Sequence, residues 1–365
     1  MERFSKNDTL VVKGIAILML LFHHFFMGIA PHPLVWSLDK TQLGVNVATL
    51  CKVCVAIFVV LSGYGINESY KRKKDGDFAF VKNHLLKLMK QYWFIFLIFV
   101  PLGIILGANP IDVYGKNPKG ILYFIIDFFG MKSLINTPTM NQTWWYMETV
   151  IVLYAFFPVL KRLTKKVPYI ILPISLLPVV KFGLLNNGSI DGCREIYWVF
   201  HFCAGILLSE KNILNKYSLC LASNRVKVTS LSIISLLMFT LLRSRYGIIM
   251  DCFFAISIIL ALKATLCNIK YISNVLSYLG VHSANIFMMH SFLYCYYTQI
   301  KFILTVLKYP LINYAILISE CVIVSDYLEI TKSRLNNVLL KIRMQKEEHK
   351  TSAFESDGKK DSLKV

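Results

Sequence analysis

One apolar run near the start of the chain carries side chains that could perform acid–base or anion-binding chemistry. Residues 10–30, LVVKGIAILMLLFHHFFMGIA, contain Lys13, His23 and His24. A run of about 20 apolar residues can cross a hydrocarbon core of ~30 Å, and ionisable groups inside such a span are costly. We therefore interpret this run as a membrane span whose polar residues are functional.

Helical phase separates the two histidines of this span. Lys13 and His24 are eleven residues apart. In an α-helix that separation is roughly three turns and ~16 Å of rise, so the two residues share one face. His23 points about 100° away from that face. Because the imidazole group titrates near neutral pH, we expect His24 rather than His23 to act as an acid–base catalyst.

The composition of the chain is that of a membrane protein. Of its 365 residues, 56% are hydrophobic and 17% are charged, and the mean hydropathy is +0.55. Soluble domains are about half apolar and about a quarter charged. The net charge of +19 is explained by basic loops facing the cytoplasm. No basic soluble module is present, which argues against nucleic-acid binding.

We predict an all-α, polytopic transmembrane bundle of about ten spans. The spans lie near residues 9–30, 45–66, 84–107, 144–161, 167–185, 194–209, 228–243, 246–267, 283–305 and 309–330. With ten spans, the basic segments all fall on the side of the N-terminus, namely 67–83, 161–166, 210–227 and the tail after 330. The positive-inside rule then places both termini in the cytoplasm.

Two regions follow from this topology. Residues 1–330 form the transmembrane domain, and residues 331–365 form a basic cytoplasmic tail. We expect the tail to begin as an amphipathic helix on the anionic inner leaflet and then to be disordered. The longest outer loop is 108–143, and its apolar stretch 120–130 is predicted to be amphipathic or re-entrant rather than spanning.

The topology also assigns a depth to the polar residues inside the spans. The inner half contains Lys13, Ser62, Lys87 and His290, and the outer half contains His24 and Glu148. A basic inner end suits an anionic cytosolic ligand such as a phosphate-bearing carrier. A histidine and a carboxylate nearer the outside suit acid–base chemistry on a group that arrives from there.

Each of these residues also has a purely structural explanation. Lys13 and Lys87 lie near span ends and could reach the interface with their ammonium groups. Ser62 could belong to a small-residue helix contact, and His290 could be a hydrogen-bonded core histidine. Glu148 could cap or pair structurally. The nine cysteines include only one CxxC, at Cys51, so no metal site is predicted.

Five patches, in order, resemble those of the integral-membrane acyltransferase family 3, which O-acylates cell-surface carbohydrates. The first, KGIAILMLLFHHF, is similar to the family's basic residue, ten-residue gap and histidine, here Lys13 and His24. The second, VAIFVVLSGYGI at 55–66, resembles its Phe-x3-Ser-Gly patch and contains Ser62. The third, HLLKLMKQYW, resembles a basic stretch that ends in an aromatic pair.

Two later patches complete the resemblance, which covers about residues 8–330. The fourth, WYMETVIVLYAFFP, is similar to the family's Trp-to-Tyr-to-Pro run and begins at Trp145. The last, LGVHSANIFMMHSF, resembles its closing Gly-x-x-Ser…His stretch and ends at His290. Three departures stand out. Lys13 replaces a more common arginine, Lys90 replaces a common proline, and Glu148 is offset from the family's carboxylate pair.

The resemblance implies a multi-pass O-acyltransferase of the plasma or inner membrane. Its donor substrate would be acetyl-CoA, with no bound cofactor, and its acceptor would be a hydroxyl of a surface or exported polysaccharide. The residues that it implies are His24, Lys13 and His290 for catalysis, Lys13, Ser62, Lys87 and Tyr92 for acyl-CoA binding, and Trp145 and Glu148 for the acceptor channel. The oligomeric state is left open.

Two other functions are compatible with a polytopic chain. A transporter or flippase for a glycan or lipid-linked sugar would share the ten spans and the polar column, but it would favour paired charges at the midplane and interrupted helices in two matching halves. A glycan polymerase or ligase would favour large outer loops rich in arginine, whereas the outer loops here are short except for 108–143.

Overall fold

The chain is helical throughout the computed structural model, which describes residues 3–28, 43–74, 76–185, 194–304 and 309–361. No strand occurs in these ranges. The α-helices are α1 Lys6–Gly28, α2 Leu43–Cys51, α3 Cys54–Tyr70, α4 Asp77–Leu106, α5 Pro110–Tyr114, α6 Pro118–Phe128, α7 Lys132–Ile135, α8 Trp145–Ala155, α9 Phe157–Lys166, α10 Pro168–Leu185, α11 Arg194–Glu210, α12 Ile213–Ser223, α13 Arg225–Tyr246, α14 Asp251–Ala264, α15 Lys270–Ser291, α16 Thr298–Ile303 and α17 Pro310–Asp361.

Several of these helices are long and apolar enough to cross a membrane. Within the described residues, five stretches meet that condition, namely Lys6–Met27, Gly44–Tyr70, Asp77–Leu106, Arg225–Asn268 and Pro310–Ile342. A sixth is added if Gln142–Ala155 and Phe157–Lys166, which are bent by 61°, count as one span. The predicted all-helical membrane class is therefore confirmed, whereas the ten crossings and the cytoplasmic termini stay predictions.

The helix that carries His290 begins earlier than the sequence suggested. Its predicted span was 283–305, but α15 begins at Lys270 and ends at Ser291, where a π-helical turn follows over Phe292–Tyr296. The polar residues of its first half lower its hydropathy, and the buried Ser273 among them contacts another helix. The side-chain amide of Asn7, for example, donates a hydrogen bond to Ser273 Oγ at 2.9 Å.

Helices α1 and α15 pack against each other in parallel at close range. Asn7 contacts Ser273 near their first residues, and the rings of His24 and His290 meet near their ends. Between these contacts the backbones nearly touch, because a β-carbon at Gly14 would overlap the carbonyl group of Leu276. Small residues permit such backbone contact between membrane helices. This pair of helices brings the residues of the first span to those of the ninth.

Helices α3 and α11 form a second close pair, also parallel. A β-carbon at Gly63 would overlap the carbonyl group of Phe202, and Asn67 donates a hydrogen bond to Ser209 Oγ at 2.9 Å. Helix α3 runs opposite to α1, since the ring of Tyr64 near its end packs on Phe4 with centroids 5.7 Å apart.

Two compact units divide the chain. Met1–Cys321 is the first, and Val322–Val365 is the second. The described residues of the second unit are helical as far as Asp361. The predicted domain boundary at residue 330 and the predicted disorder of the tail stay predictions.

Candidate functional site

Three imidazole rings meet where α1 and α15 come together at their C-terminal ends. The ring centroid of His24 lies 5.0 Å from that of His290 and 5.1 Å from that of His23. His24 and His290 are therefore at one level of the bundle, although the sequence had assigned them to opposite halves. That assignment was wrong because α15 begins at Lys270, which moves His290 to the far end of its helix.

Hydrogen bonds distinguish the three histidines. The Nδ1 atom of His23 lies 2.7 Å from the carbonyl oxygen of Ala48, and that of His290 lies 2.9 Å from the carbonyl oxygen of Phe287. Because carbonyl oxygens only accept, each of these Nδ1 atoms carries the proton. His24 makes no hydrogen bond within the described part of the chain. No described residue therefore bonds to either of its ring nitrogens.

An aromatic side chain covers the pair formed by His24 and His290. The ring of Tyr294 lies nearly parallel to both, with centroids 6.2 Å from His24 and 5.7 Å from His290. Tyr294 stands in the π-helical turn, where the amide of Tyr297 donates to the carbonyl oxygen of Phe292 at 2.9 Å, five residues back. Such turns inside helices are frequent at functional sites. The sequence alone did not indicate Tyr294.

Two lysines, Lys13 on α1 and Lys87 on α4, lie in the first halves of their helices, away from the ring cluster at the end of α1. The two ammonium charges repel each other. Lys13 is half-buried and Lys87 is exposed. Neither forms an ion pair with any described residue. Two mutually repelling cations with no ion-pair partner among the described residues are a suitable contact for a bound anion.

The predicted residues Ser62 and Trp145 lie on the neighbouring helices α3 and α8. The Ser62 side chain lies close to the hydroxyl groups of Tyr146 and Tyr154. Trp145 stacks on Trp198, with ring centroids 6.0 Å apart. Ser62 therefore joins α3 to α8 through side chains.

Glu148 and Tyr92 make structural contacts with the segment between α4 and α8. The two carboxylate oxygens of Glu148 accept the backbone N–H groups of Ser133 at 2.7 Å and Leu134 at 2.6 Å. Glu148 thereby satisfies the free amides at the start of α7. Tyr92 is fully buried and donates its hydroxyl to the carbonyl oxygen of Asp127 at 2.6 Å. Their predicted roles in acceptor and donor binding stay predictions.

A buried carboxylate that sequence reasoning missed holds this same segment together. Asp127 accepts hydrogen bonds from Tyr114 Oη at 2.6 Å, Thr139 Oγ1 at 2.9 Å and the backbone amide of Met140 at 3.0 Å. Burial raises the pKa of the Asp127 carboxyl to about 6, against the opposing effect of these donors. Its position inside the apolar run FIIDFF was the available signal, because a charge there must be paired.

The segment also contacts α15 directly beside His290. The side-chain amide of Asn141 and the indole N–H of Trp144 both donate to the carbonyl oxygen of Met288, at 3.2 Å and 2.9 Å. Thr143 lies between them and contacts Ser291, Oγ1 to Oγ, at 3.2 Å. The loop predicted as 108–143 is thus packed into the bundle and reaches the histidines.

Comparison with known proteins gives one result. A model of the acyltransferase 3 family, described as an acyltransferase domain, matches residues 11–327. No curated protein and no solved structure matches the chain. The match covers all the histidines and lysines described above and confirms the resemblance seen in the five sequence patches. In the described residues no group of three or more His, Cys, Asp or Glu side chains is arranged to hold a metal ion.

Proposed function

Because the chain belongs to the acyltransferase 3 family, we propose that it is an O-acetyltransferase that moves an acetyl group from cytosolic acetyl-CoA to a hydroxyl of a surface or exported polysaccharide. The observation that carries this proposal is the hydrogen bonding of His24. It is the one member of the histidine cluster with no hydrogen bond among the described residues, while its neighbours are each held by a backbone carbonyl.

The reaction requires a proton to leave the acceptor and to reach the leaving group. In our mechanism His24 takes the proton of the acceptor hydroxyl as its oxygen bonds to the thioester carbonyl carbon. The carbon–sulfur bond then breaks, and His24 returns the proton to the thiolate of coenzyme A. One histidine can serve in both steps because an imidazole nitrogen that accepts a proton as general base can return it as general acid.

Lys13 and Lys87 are suited to bind the phosphate groups of the donor substrate. Coenzyme A carries several phosphate charges, and Lys13 and Lys87 repel each other and have no carboxylate partner in the described residues. Lys13 is separated from His24 by eleven residues of α1, or ~16 Å along the helix axis. A donor anchored by its phosphates at the lysines would extend its thioester towards His24. Lysine provides a point charge here instead of the bidentate contact of an arginine.

The helix directions are compatible with ten alternating crossings and two cytoplasmic termini. Helix α14 runs opposite to α1, because Lys263 near its end forms an ion pair with Asp8 at 3.0 Å. Helix α9 runs opposite to α4, because Arg162 near its end pairs with Asp77 at 3.0 Å. A fluorescent reporter fused after Val365 should therefore fold in the cytoplasm; exclusive activity of a periplasmic or extracellular reporter at that position would contradict this topology.

The decisive experiment measures transfer of radiolabelled acetyl from acetyl-CoA to glycan in membranes that contain the full chain. The His24→Ala variant should lose about 10²–10⁴-fold in rate, the usual contribution of general acid–base catalysis. The matched control is His84→Ala, which removes a histidine of α4 whose Nδ1 atom is held by the carbonyl oxygen of Phe80. It should keep wild-type activity.

The outcomes separate the proposal from its rivals. Wild-type rates in a correctly inserted His24→Ala variant would refute the assigned role of His24. Label that crosses the membrane without becoming covalently attached to glycan would favour a transporter. Mass spectrometry of the glycan, with and without the chain, would identify the acylated sugar and show whether the added group is acetyl.

A further inference from the structure

A line of polar side chains leads from the segment between α4 and α8 to His290. Asn141 Oδ1 accepts the hydroxyl of Thr143 at 2.8 Å, and Thr143 Oγ1 contacts Ser291 Oγ at 3.2 Å. Ser291 Oγ in turn lies 3.4 Å from His290 Nε2. All four side chains are buried, with Asn141 and His290 fully enclosed. The line ends on the ring that packs against His24.

The first member of the line is fixed in one orientation. Asn141 donates its amide to the carbonyl oxygen of Met288 at 3.2 Å, so its Oδ1 atom faces the other way. There it accepts both the backbone amide of Thr143 at 2.9 Å and the hydroxyl of Thr143. The Thr143 hydroxyl is thereby held next to Ser291. A valine in place of Thr143 would keep the shape of the side chain and remove its polar contacts with Asn141 and Ser291.

The last member of the line is held on two sides. The Nδ1 atom of His290 faces the carbonyl oxygens of Phe287 at 2.9 Å and Ile286 at 3.1 Å, and its Nε2 atom faces Ser291. A half-turn of the ring would put carbon atoms against these polar groups. Since Nδ1 carries the proton, Nε2 accepts from Ser291, whose single hydroxyl proton serves either Nε2 or Thr143 Oγ1 at one time. Polar partners on both nitrogens select one ring orientation. The face of His290 that His24 meets depends on this choice.

We infer that Asn141, Thr143 and Ser291 are positioning residues, which act through His290 to set the geometry of His24. This inference rests on the proposed function, because it concerns the same histidine. The segment between α4 and α8 then has a functional role, because its side chains help to position the reacting histidine. A small misplacement of a catalytic group lowers the rate of the chemical step more than it lowers substrate binding.

Matched variants test the inference in acetyl transfer by the full chain. Thr143→Val should lower kcat about tenfold with little change in the KM for acetyl-CoA, and Thr143→Ser should restore it. The control is Thr149→Val, which makes the same change at a buried threonine of α8 whose hydroxyl, among the described residues, bonds only to the carbonyl oxygen of Trp145, at 3.2 Å. Thermal unfolding of each variant reports whether the fold is intact.

A double-mutant cycle separates positioning from general packing. Ser291→Ala and Thr143→Val interrupt the same line, so the double variant should be no slower than the slower single variant. Multiplied losses would show that the two residues act independently and would overturn the inference. Equal losses in Thr143→Val and Thr149→Val would do the same. If the wild type and Thr149→Val transfer acetyl and Thr143→Val matches them, only this inference fails; an inactive wild type removes the proposed function as well.

Discussion

The histidine cluster and the segment between α4 and α8 use their polar groups in opposite ways. In the cluster, His24 has no hydrogen-bond partner among the described residues. In the segment, the carboxylates of Asp127 and Glu148 accept hydrogen bonds from five protein groups in total, three for the first and two for the second. A polar group already bonded within the fold supports structure, whereas an unbonded one at the same depth is open to a ligand.

This difference explains why two residues that looked alike in sequence have different surroundings. His24 and Glu148 were both expected in the outer half as acid–base groups. Glu148 has 1% of its surface exposed and both oxygens engaged by backbone amides. Loss of His24 should therefore affect activity, and loss of Glu148 should affect stability. The variants that follow test this division, beginning with the largest effect.

Replacement of Lys13 by methionine should give the largest change after His24→Ala. Methionine keeps the length of the side chain and removes the charge that repels Lys87. A charge-assisted contact with phosphate is worth about 1.5–3 kcal/mol, so the KM for acetyl-CoA should rise about 10- to 100-fold. Lys13→Arg should restore binding, because the guanidinium group keeps the charge. An unchanged KM for acetyl-CoA in Lys13→Met would show that Lys13 does not bind the donor.

Replacement of Glu148 by alanine should destabilise the segment. Two backbone amides of α7 lose their carboxylate acceptor, and because both hydrogen bonds are only part-buried we expect a cost of about 1–3 kcal/mol in total. The melting temperature in detergent should fall, and proteolysis within 108–143 should accelerate. Glu148→Gln keeps one acceptor oxygen and should lie between the wild type and the alanine variant. A normal melting temperature together with lost acetyl transfer would instead make Glu148 catalytic, and the two regions would no longer differ.

The sequence was informative where the energetic cost of a residue could be recognised from its neighbours in the sequence. Lys13 and His24 stood out because ionisable residues in an apolar run are expensive, and helical spacing then placed them on one face. The structure also brings His24 to His290, although 266 positions separate them in the sequence. That contact depends on the close packing of α1 and α15 at Gly14, which spacing alone does not reveal.

The segment between α4 and α8 was harder to predict because its polar residues are ordinary for a loop. Asn141 and Thr143 are common turn and cap residues, and Asn141 does accept the backbone amide of Thr143. What makes them unusual is burial, which depends on how α6 and α7 fold back along α4. The early start of α15 was missed for a related reason: its polar residues lower the apparent hydropathy, and the buried Ser273 among them contacts another helix.

From the raised pKa of Asp127 we predict that the stability of the segment between α4 and α8 depends on pH. In the unfolded chain an aspartate titrates near pH ~4, whereas burial raises the pKa of Asp127 in the fold to about 6. Between these values the folded state binds more protons. Stability is therefore greatest below the unfolded pKa, falls by up to ~3 kcal/mol as the pH rises through the folded value, and is constant above it. Hydrogen exchange of residues 118–144, corrected for intrinsic rates, should show this decline.

The Asp127→Asn variant tests whether Asp127 causes this decline of stability with rising pH. Asparagine has a similar shape and does not titrate in this range, so protection of the segment should no longer change between pH ~4 and ~6. The groups that face Asp127 are Tyr114, Thr139, the Met140 amide and Lys132, and among them only Lys132 is charged at these pH values. An equal slope in the wild type and the variant would exclude Asp127 as its source.

His23 should give the smallest effect and the sharpest test of helical phase. It lies beside His24, but its Nδ1 atom is held by the carbonyl oxygen of Ala48. His23→Ala should lose one hydrogen bond, worth about 1 kcal/mol, and only a few-fold in activity. His23→Asn can still donate to Ala48 and should be closer to the wild type. If His23→Ala is as inactive as His24→Ala, the two imidazoles work as a unit, and a hydrogen bond to the backbone does not exclude a histidine from catalysis here.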